Sequence, residues 1–292
     1  MSSDATAGDA LPATLYAAPE AFQRERRTIF QNAWLLLARS DALSTPGAYA
    51  AQSLGGWPVF AVADAAGRAA AFRNVCRHQG LPLFDTGTGT CAEIRCRYHS
   101  WAYGADGRFL TAPPQVMPPD PADPMHHLEP VTARPIGGLF FVHLGGTSTA
   151  ADAILAELAD GLASADLSRL PFQAETVTDI DANWKVVIEQ ALVDRPARRF
   201  VWPTLLLDIE EAGVTLHQVI PRAFQRTRVH HHHYGAERAH LMERTAAETS
   251  ALKAAAVAAQ AQAAQGTPPA LTVTPTLAAF RTRARAAHAA VA

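Results

Sequence analysis

Residues 70–80 read AAFRNVCRHQG, and residues 96–109 read CRYHSWAYGADGRF. Each stretch holds one cysteine and one histidine close together: Cys76-Arg77-His78 in the first, Cys96-Arg97-Tyr98-His99 in the second. The spacing is C-x-H, then 17 residues, then C-x2-H. Around them, short β-rich runs (Val59–Val62, Ala71–Val75, Ile94–Tyr98, Leu139–His143) alternate with Gly, Pro and Asp turns. Ala105-Asp106-Gly107 between two runs is a hairpin signal. The reading is a small antiparallel β domain with two loops converging on one metal centre.

One soft thiolate and one imidazole per loop fit a [2Fe-2S] cluster of the Rieske type. The two cysteines can hold one iron and the two histidines the other. Neutral imidazoles then raise the potential above that of an all-cysteine cluster. Structural zinc is the alternative, but its ligands usually come as a close Cys pair and a close His pair, not one mixed pair per loop. Gly80 after the first pair allows close backbone approach, and Trp101 after the second is placed to shield the centre. Cys91 lies outside both pairs and reads as a non-ligand.

Outward from these loops, the chain has 292 residues, 49% of them hydrophobic, enough for one large domain or two ordinary ones. A formal net charge of −2 gives no electrostatic case for nucleic acid or an anionic membrane. Three cysteines are no disulfide framework. The start, MSSDATAGDALPATLY, shows neither a basic n-region nor an apolar h-region, and no apolar run is long enough to span a bilayer. A cytoplasmic setting is the expectation.

Three parts are expected: a helical arm over 1–42, the cluster domain over 43–147, and a C-terminal domain over 148–292. In the arm, Pro19-Glu20 open a helix on which Phe22, Ile29 and Trp34 recur at roughly helical spacing. In the C-terminal part, helices are expected at 151–162, 183–192, 237–265 and 277–292. Strands are expected at 175–180, 205–209, 214–220 and 226–234. Arg281, Arg283 and Arg285 read as a solvated helix face.

At this point the chain resembles the α subunits of Rieske non-haem iron oxygenases, the ring-hydroxylating and N-demethylating type. LPATLYAAPEAFQRERRTIFQNAW resembles the family's N-terminal arm, and the two stretches above resemble its cluster loops, usually C-R-H-R-G and C-P-Y-H-G-W. Gln79, Arg97 and Ser100 are departures. NWKVVIEQ over 183–190 looks like the family's N-W-K-x-x-x-E-N helix; FVWPTLLLDI and TLHQVIPRAFQRTRVHHHHYG look like its later strands. The resemblance implies an α+β fold: a Rieske domain plus a shortened helix-grip domain, an antiparallel sheet around helices.

The resemblance breaks after this helix. The family continues with an aspartate, two histidine iron ligands and a later aspartate ligand. Here Val193, Arg195, Pro196 and Val201 stand at the matching positions, and no aspartate follows Asp208. The resulting expectation is a chain that has lost its own mononuclear Fe(II) and passes electrons from a reductase or ferredoxin to a catalytic α partner in a heteromeric, trimeric oxygenase. Two other readings stand beside it. One is a complete monooxygenase or dioxygenase with a relocated iron site, using His217, the His230–His233 row or Glu248. The other is a non-catalytic scaffold or redox sensor. Alternation along a strand would put His231 and His233 on one face, with His217 as a possible partner. The plainer reading is a partly exposed strand rich in histidine, with His126-His127 at the surface.

Overall fold

The structure is a computed structural model, and it describes residues 10–113, 120–146, 149–163, 165 and 167–290. The reading of the first nine residues therefore lies outside the described part. The chain divides into two compact units: Trp34–Asp152, and a second unit made of Met1–Ala33 together with Ala153–Ala292.

The first unit is β throughout. Its strands are β1 (Trp34–Arg39), β2 (Ala48–Leu54), β3 (Trp57–Ala63), β4 (Ala69–Arg73), β5 (Gly87–Thr90), β6 (Ile94–Arg95), β7 (Ala102–Tyr103), β8 (Phe109–Thr111), β9 (Pro130–Ile136) and β10 (Leu139–His143). Seven form an antiparallel sheet in the order β1-β10-β9-β4-β3-β2-β5, and β6-β7-β8 form a small second sheet. Trp34 is thus not on the arm helix: it opens β1, opposite His143. The apolar run Leu35-Leu36-Leu37 is buried within the sheet, and burial overrides the helical spacing. The expected hairpin forms between β7 and β8. Gly107 sits there at φ +81°, a backbone state that costs L side chains, and an added Cβ would run into the Phe72 ring. Phe60, Phe72, Leu83, Trp101, Tyr103 and Phe109 form the core, and Cys76 and Cys96 belong to the same buried cluster.

The second unit holds α1 (Thr14–Ala17), α2 (Pro19–Thr28), α3 (Thr149–Ala163), α4 (Trp184–Asp194), α5 (Arg238–Ala264) and α6 (Pro275–Ala289). Its strands are β11 (Phe172–Ile180), β12 (Arg199–Val201), β13 (Leu205–Glu210), β14 (Gly213–Ala223) and β15 (Arg226–Gly235), ordered β11-β15-β14-β13-β12 and antiparallel throughout. The two units together give the expected α+β fold, one of them β and the other mixed. Among the described residues no helix is long and apolar enough to cross a membrane.

Helix α4 is the buried axis of this unit and accounts for the N-W-K sequence. Asn183 caps it, accepting from the Lys185 backbone N–H, and its amide donates to the Phe224 carbonyl. The Trp184 indole N–H donates to Glu25 at 2.7 Å, and Lys185 Nζ donates to the same carboxylate at 2.5 Å. His288 Nε2 lies 2.8 Å from it. One turn on, Glu189 accepts from Tyr16 and from Arg281. Arg281 is therefore 1% exposed rather than solvated. Arg283 pairs with Glu157 and lies over the Trp202 ring. A guanidinium takes a buried place when a carboxylate awaits it, which composition alone does not reveal.

Candidate cluster site and the histidine sheet

The two cysteine loops are built alike. The Cys76 N–H donates to the Leu81 carbonyl at 2.8 Å, and the Gly80 N–H donates to the Cys76 carbonyl at 2.9 Å. The Cys96 N–H donates to the Trp101 carbonyl at 2.8 Å, and the Ser100 N–H donates to the Cys96 carbonyl at 2.9 Å. Each loop closes on itself and puts its cysteine at the buried root and its histidine nearer the tip: Cys76 and Cys96 are buried, while His78 and His99 are half-buried.

The side chains meet in like pairs, histidine with histidine and cysteine with cysteine. The His78 and His99 rings meet edge to face with centroids 4.6 Å apart. Trp101 stacks on His78 at 4.9 Å, as a shield would. Tyr103 Oη lies 3.2 Å from Cys76 Sγ and accepts the Arg77 N–H at 3.1 Å. Burial pushes the Cys76 thiol up, Tyr103 works against that, and the neighbouring Cys96 sulfur adds to the rise. Burial also pushes the Tyr103 hydroxyl up, so it stays protonated and able to donate to sulfur.

A buried atom without a partner is the observation that tests the fit of a cluster here. His78 Nδ1 is buried and has no hydrogen-bond partner among the described residues, an arrangement that costs free energy unless something else takes the lone pair. Two buried thiols on the same pair of loops are the soft donors that iron takes. Cys91 is half-buried, packed against the edge of the same core and on the wall of a cleft with Pro46 and Glu93.

The second unit brings together groups that the sequence scatters. Strand register sets His217 opposite His231 and Leu206. The two imidazoles face each other Nδ1 to Nδ1 at 2.7 Å. Each outer nitrogen is held: His217 Nε2 by Asp208 at 2.9 Å, His231 Nε2 by Thr178 at 3.3 Å. Both line a small pocket of about 10 Å³ with Val187 and Asp194 of α4 and Glu248 and Leu252 of α5. The expected partnership of His217 with the histidine row is thus present through His231. His233 instead meets Thr176 and Thr215. The row is not the partly exposed strand of the plainer reading: His231, His232 and His233 are 2%, 6% and 0% exposed. His126 is half-buried against Trp101 and Phe109.

Burial holds His231 down to about 2, with His217 adding to the effect, and His233 down to about 4. Both are neutral and able to ligate at ordinary pH. Burial works to raise the Asp208 carboxyl, but hydrogen bonds from His217 and Arg198 outweigh it and keep it well below the usual range. Arg198 grips both Asp208 oxygens at 2.8 and 2.7 Å. Arg195 pairs with Glu248 at 2.7 Å and Glu210 at 2.9 Å, and Arg244 pairs with Glu210. Arg195 and Arg198 could have been flagged, because two arginines replace the expected ligand segment; their acid partners could not.

Residues 33–122 match the family model for the Rieske [2Fe-2S] domain. The β unit is a Rieske domain, and the chain has the mixed α+β fold of Rieske oxygenases, a Rieske domain with a helix-grip domain. Among curated proteins, the chain is similar to the glycine betaine monooxygenase oxygenase subunit of Chromohalobacter salexigens, 38% identical over 61% of this chain and 40% of that protein. It is similar to the carnitine monooxygenase oxygenase subunit of Acinetobacter pittii, 27% identical over 62% and 49%. The chain spans under half the length of these relatives. Among solved structures, the apo quaternary ammonium Rieske monooxygenase CntA superposes with a TM-score of 0.78 at 19% identity, covering 97% of this chain and 96% of that one.

Proposed function

We propose that this chain is the oxygenase subunit of a Rieske monooxygenase system, receives electrons from a separate reductase, and acts on a small quaternary ammonium compound of the glycine betaine or carnitine kind. The observation that carries the reading is the pair of matched loops presenting Cys76, His78, Cys96 and His99, on a chain similar to such oxygenase subunits. The two cysteine–histidine pairs would hold the cluster; bound there, it supplies one electron at a time. The rest of the loop chemistry belongs to the protein. Tyr103 donates to the Cys76 sulfur and so favours the more negative, reduced charge state. Trp101 covers one face of His78 and keeps water from it.

This reading departs from the expectation of a relay lacking its own iron, because the similar proteins are oxygenase subunits. Within the second unit, His217 and His231 would hold a mononuclear Fe(II), with Glu248 as the nearby carboxylate. Two imidazoles and a carboxylate are the donor set such iron takes. Asp208 and Thr178 fix the rings so that both Nδ1 atoms aim at one point, the supporting pattern of a metal-bound histidine. The 2.7 Å between them must open to about 3.3 Å to admit an ion at ordinary Fe–N or Zn–N lengths.

One observation favours the relay instead. Arg195 and Arg198 already neutralise Glu248 and Asp208, which leaves little negative charge to attract Fe(II). Metal analysis separates the two. A complete oxygenase holds three irons per two labile sulfides, and His217→Ala with His231→Ala removes the third without altering the visible cluster spectrum. With reductase and glycine betaine or carnitine it forms the demethylated or hydroxylated product. Two irons per two sulfides with no turnover by the chain alone would establish the relay.

A further inference from the structure

Strand β15 has a second face. His231 turns toward α4 and α5, so the even-numbered His230 and His232 point to the other side of the sheet. There the register places Glu175 of β11 directly opposite His232 and next but one to the partner of His230. Its carboxylate lies between the two rings, Oε1 at 2.5 Å from His230 Nδ1 and Oε2 at 3.8 Å from His232 Nδ1. The rings are nearly parallel, 18° apart, with centroids at 6.2 Å.

We propose that His230, His232 and Glu175 form a binding site for a borderline divalent transition cation such as Zn²⁺, separate from the cluster loops and from the His217–His231 pocket. Two imidazoles at i and i+2 on one strand project side by side, within reach of one ion, and the cross-strand carboxylate supplies the oxygen ligand. The next carboxylate along this face shows the difference. Asp179 is held by Arg228 through two bonds of 2.8 Å, and a guanidinium cannot ligate a metal. Glu175 bonds the imidazole of His230 and faces that of His232, and imidazoles can. The side chains of His230 and His232 are 15% and 8% exposed and that of Glu175 is 38% exposed, so an ion can enter from solvent yet finds a partly dry site.

Among the described residues no three donors already stand at coordination geometry. Ligands around a tetrahedral ion sit about 3.3 Å from one another. The carboxylate oxygens already stand at 2.5 and 3.8 Å from the two rings, and the rings, with centroids 6.2 Å apart, must rotate toward one another to close the third edge. The ion would clip β11 to β15 and stabilise the folded unit, since it binds there and not to an unfolded chain with the same geometry.

The test uses the cluster-loaded His217→Ala/His231→Ala protein, whose other pocket takes no ion, dialysed against chelator and titrated with ZnCl2 beside a chromophoric competitor. One equivalent binds with the visible cluster spectrum unchanged, and the melting temperature of the second unit rises with zinc. The double variant His230→Gln/His232→Gln loses the equivalent. Glu175→Gln weakens it at least about tenfold, and serves alone if the double variant does not fold. His240→Gln, at an exposed histidine on α5, binds as the parent does. Undiminished binding in the Glu175 and double variants, no equivalent at micromolar zinc, or zinc uptake matched by loss of cluster absorbance would each overturn the proposal.

Discussion

Ser100 occupies in the second cluster loop the place that Gly80 occupies in the first. Both follow their cysteine by four residues, both donate their N–H to that cysteine's carbonyl, and both have positive φ, 54° for Ser100 and 75° for Gly80. Ser100 is the only residue other than glycine with positive φ among the described residues. The loop geometry dictates the left-handed state, and in one loop a side chain has to accept it.

Ser100→Gly should therefore stabilise the β unit by about 1 kcal/mol. The reverse test is Gly80→Ala, where an added Cβ meets nothing within 4 Å. Its cost is conformational only, again about 1 kcal/mol. Thermal unfolding followed through the visible cluster absorbance reads both changes, and an unchanged midpoint in each would contradict the strain.

Tyr103→Phe removes the hydroxyl at 3.2 Å from Cys76 Sγ. A net hydrogen bond is worth about 0.5–1.5 kcal/mol, and a one-electron couple shifts by about 59 mV for each factor of ten. The cluster potential should fall by about 20–65 mV. Direct electrochemistry measures it, and a rise would show that the hydroxyl does not favour the reduced state.

Glu25 is the anchor of the arm, and its replacement by Gln should be severe. Lys185 would remain fully buried without its carboxylate, at a cost of about 3–5 kcal/mol. The pH dependence carries a sign. Burial pushes the Glu25 carboxyl up, but Lys185, His288 and Trp184 outweigh it and hold it below the ordinary 4.5. Its contribution is thus full above pH 4.5 and is lost as pH falls through the lower folded value. Acid unfolding of the parent should show this limb, and Glu25→Gln should flatten it.

Gly107→Ala should disrupt the β7–β8 turn, because the new methyl meets the Phe72 ring in a backbone state that already disfavours it. A loss above about 2 kcal/mol is expected, with reduced cluster retention after purification. Normal retention and stability would mean the turn repacks.

The cluster loops were the most legible part of the sequence, because a thiolate and an imidazole at fixed short spacing leave few chemical alternatives. The helix-grip sheet was legible as strands, and α4 as a helix. Its partners were not. That Glu25, Lys185 and His288 would meet depends on chain segments folding back from opposite ends, and no local pattern encodes it. The histidine row illustrates the limit well. Alternation said that its members divide between two faces; only the register with β11 and β14 said that one face meets His217 and Asp208 while the other meets Glu175.

The Glu25–His288 contact joins residues 263 positions apart. A ribosome adding about 5–20 residues each second needs roughly 13–50 s to make the second after the first. Through that interval the contiguous stretch from Trp34 to Asp152 can assemble and take up its iron and sulfide, while the arm waits with its carboxylate still in water. The β unit can thus be complete in sequence well before the other unit can close.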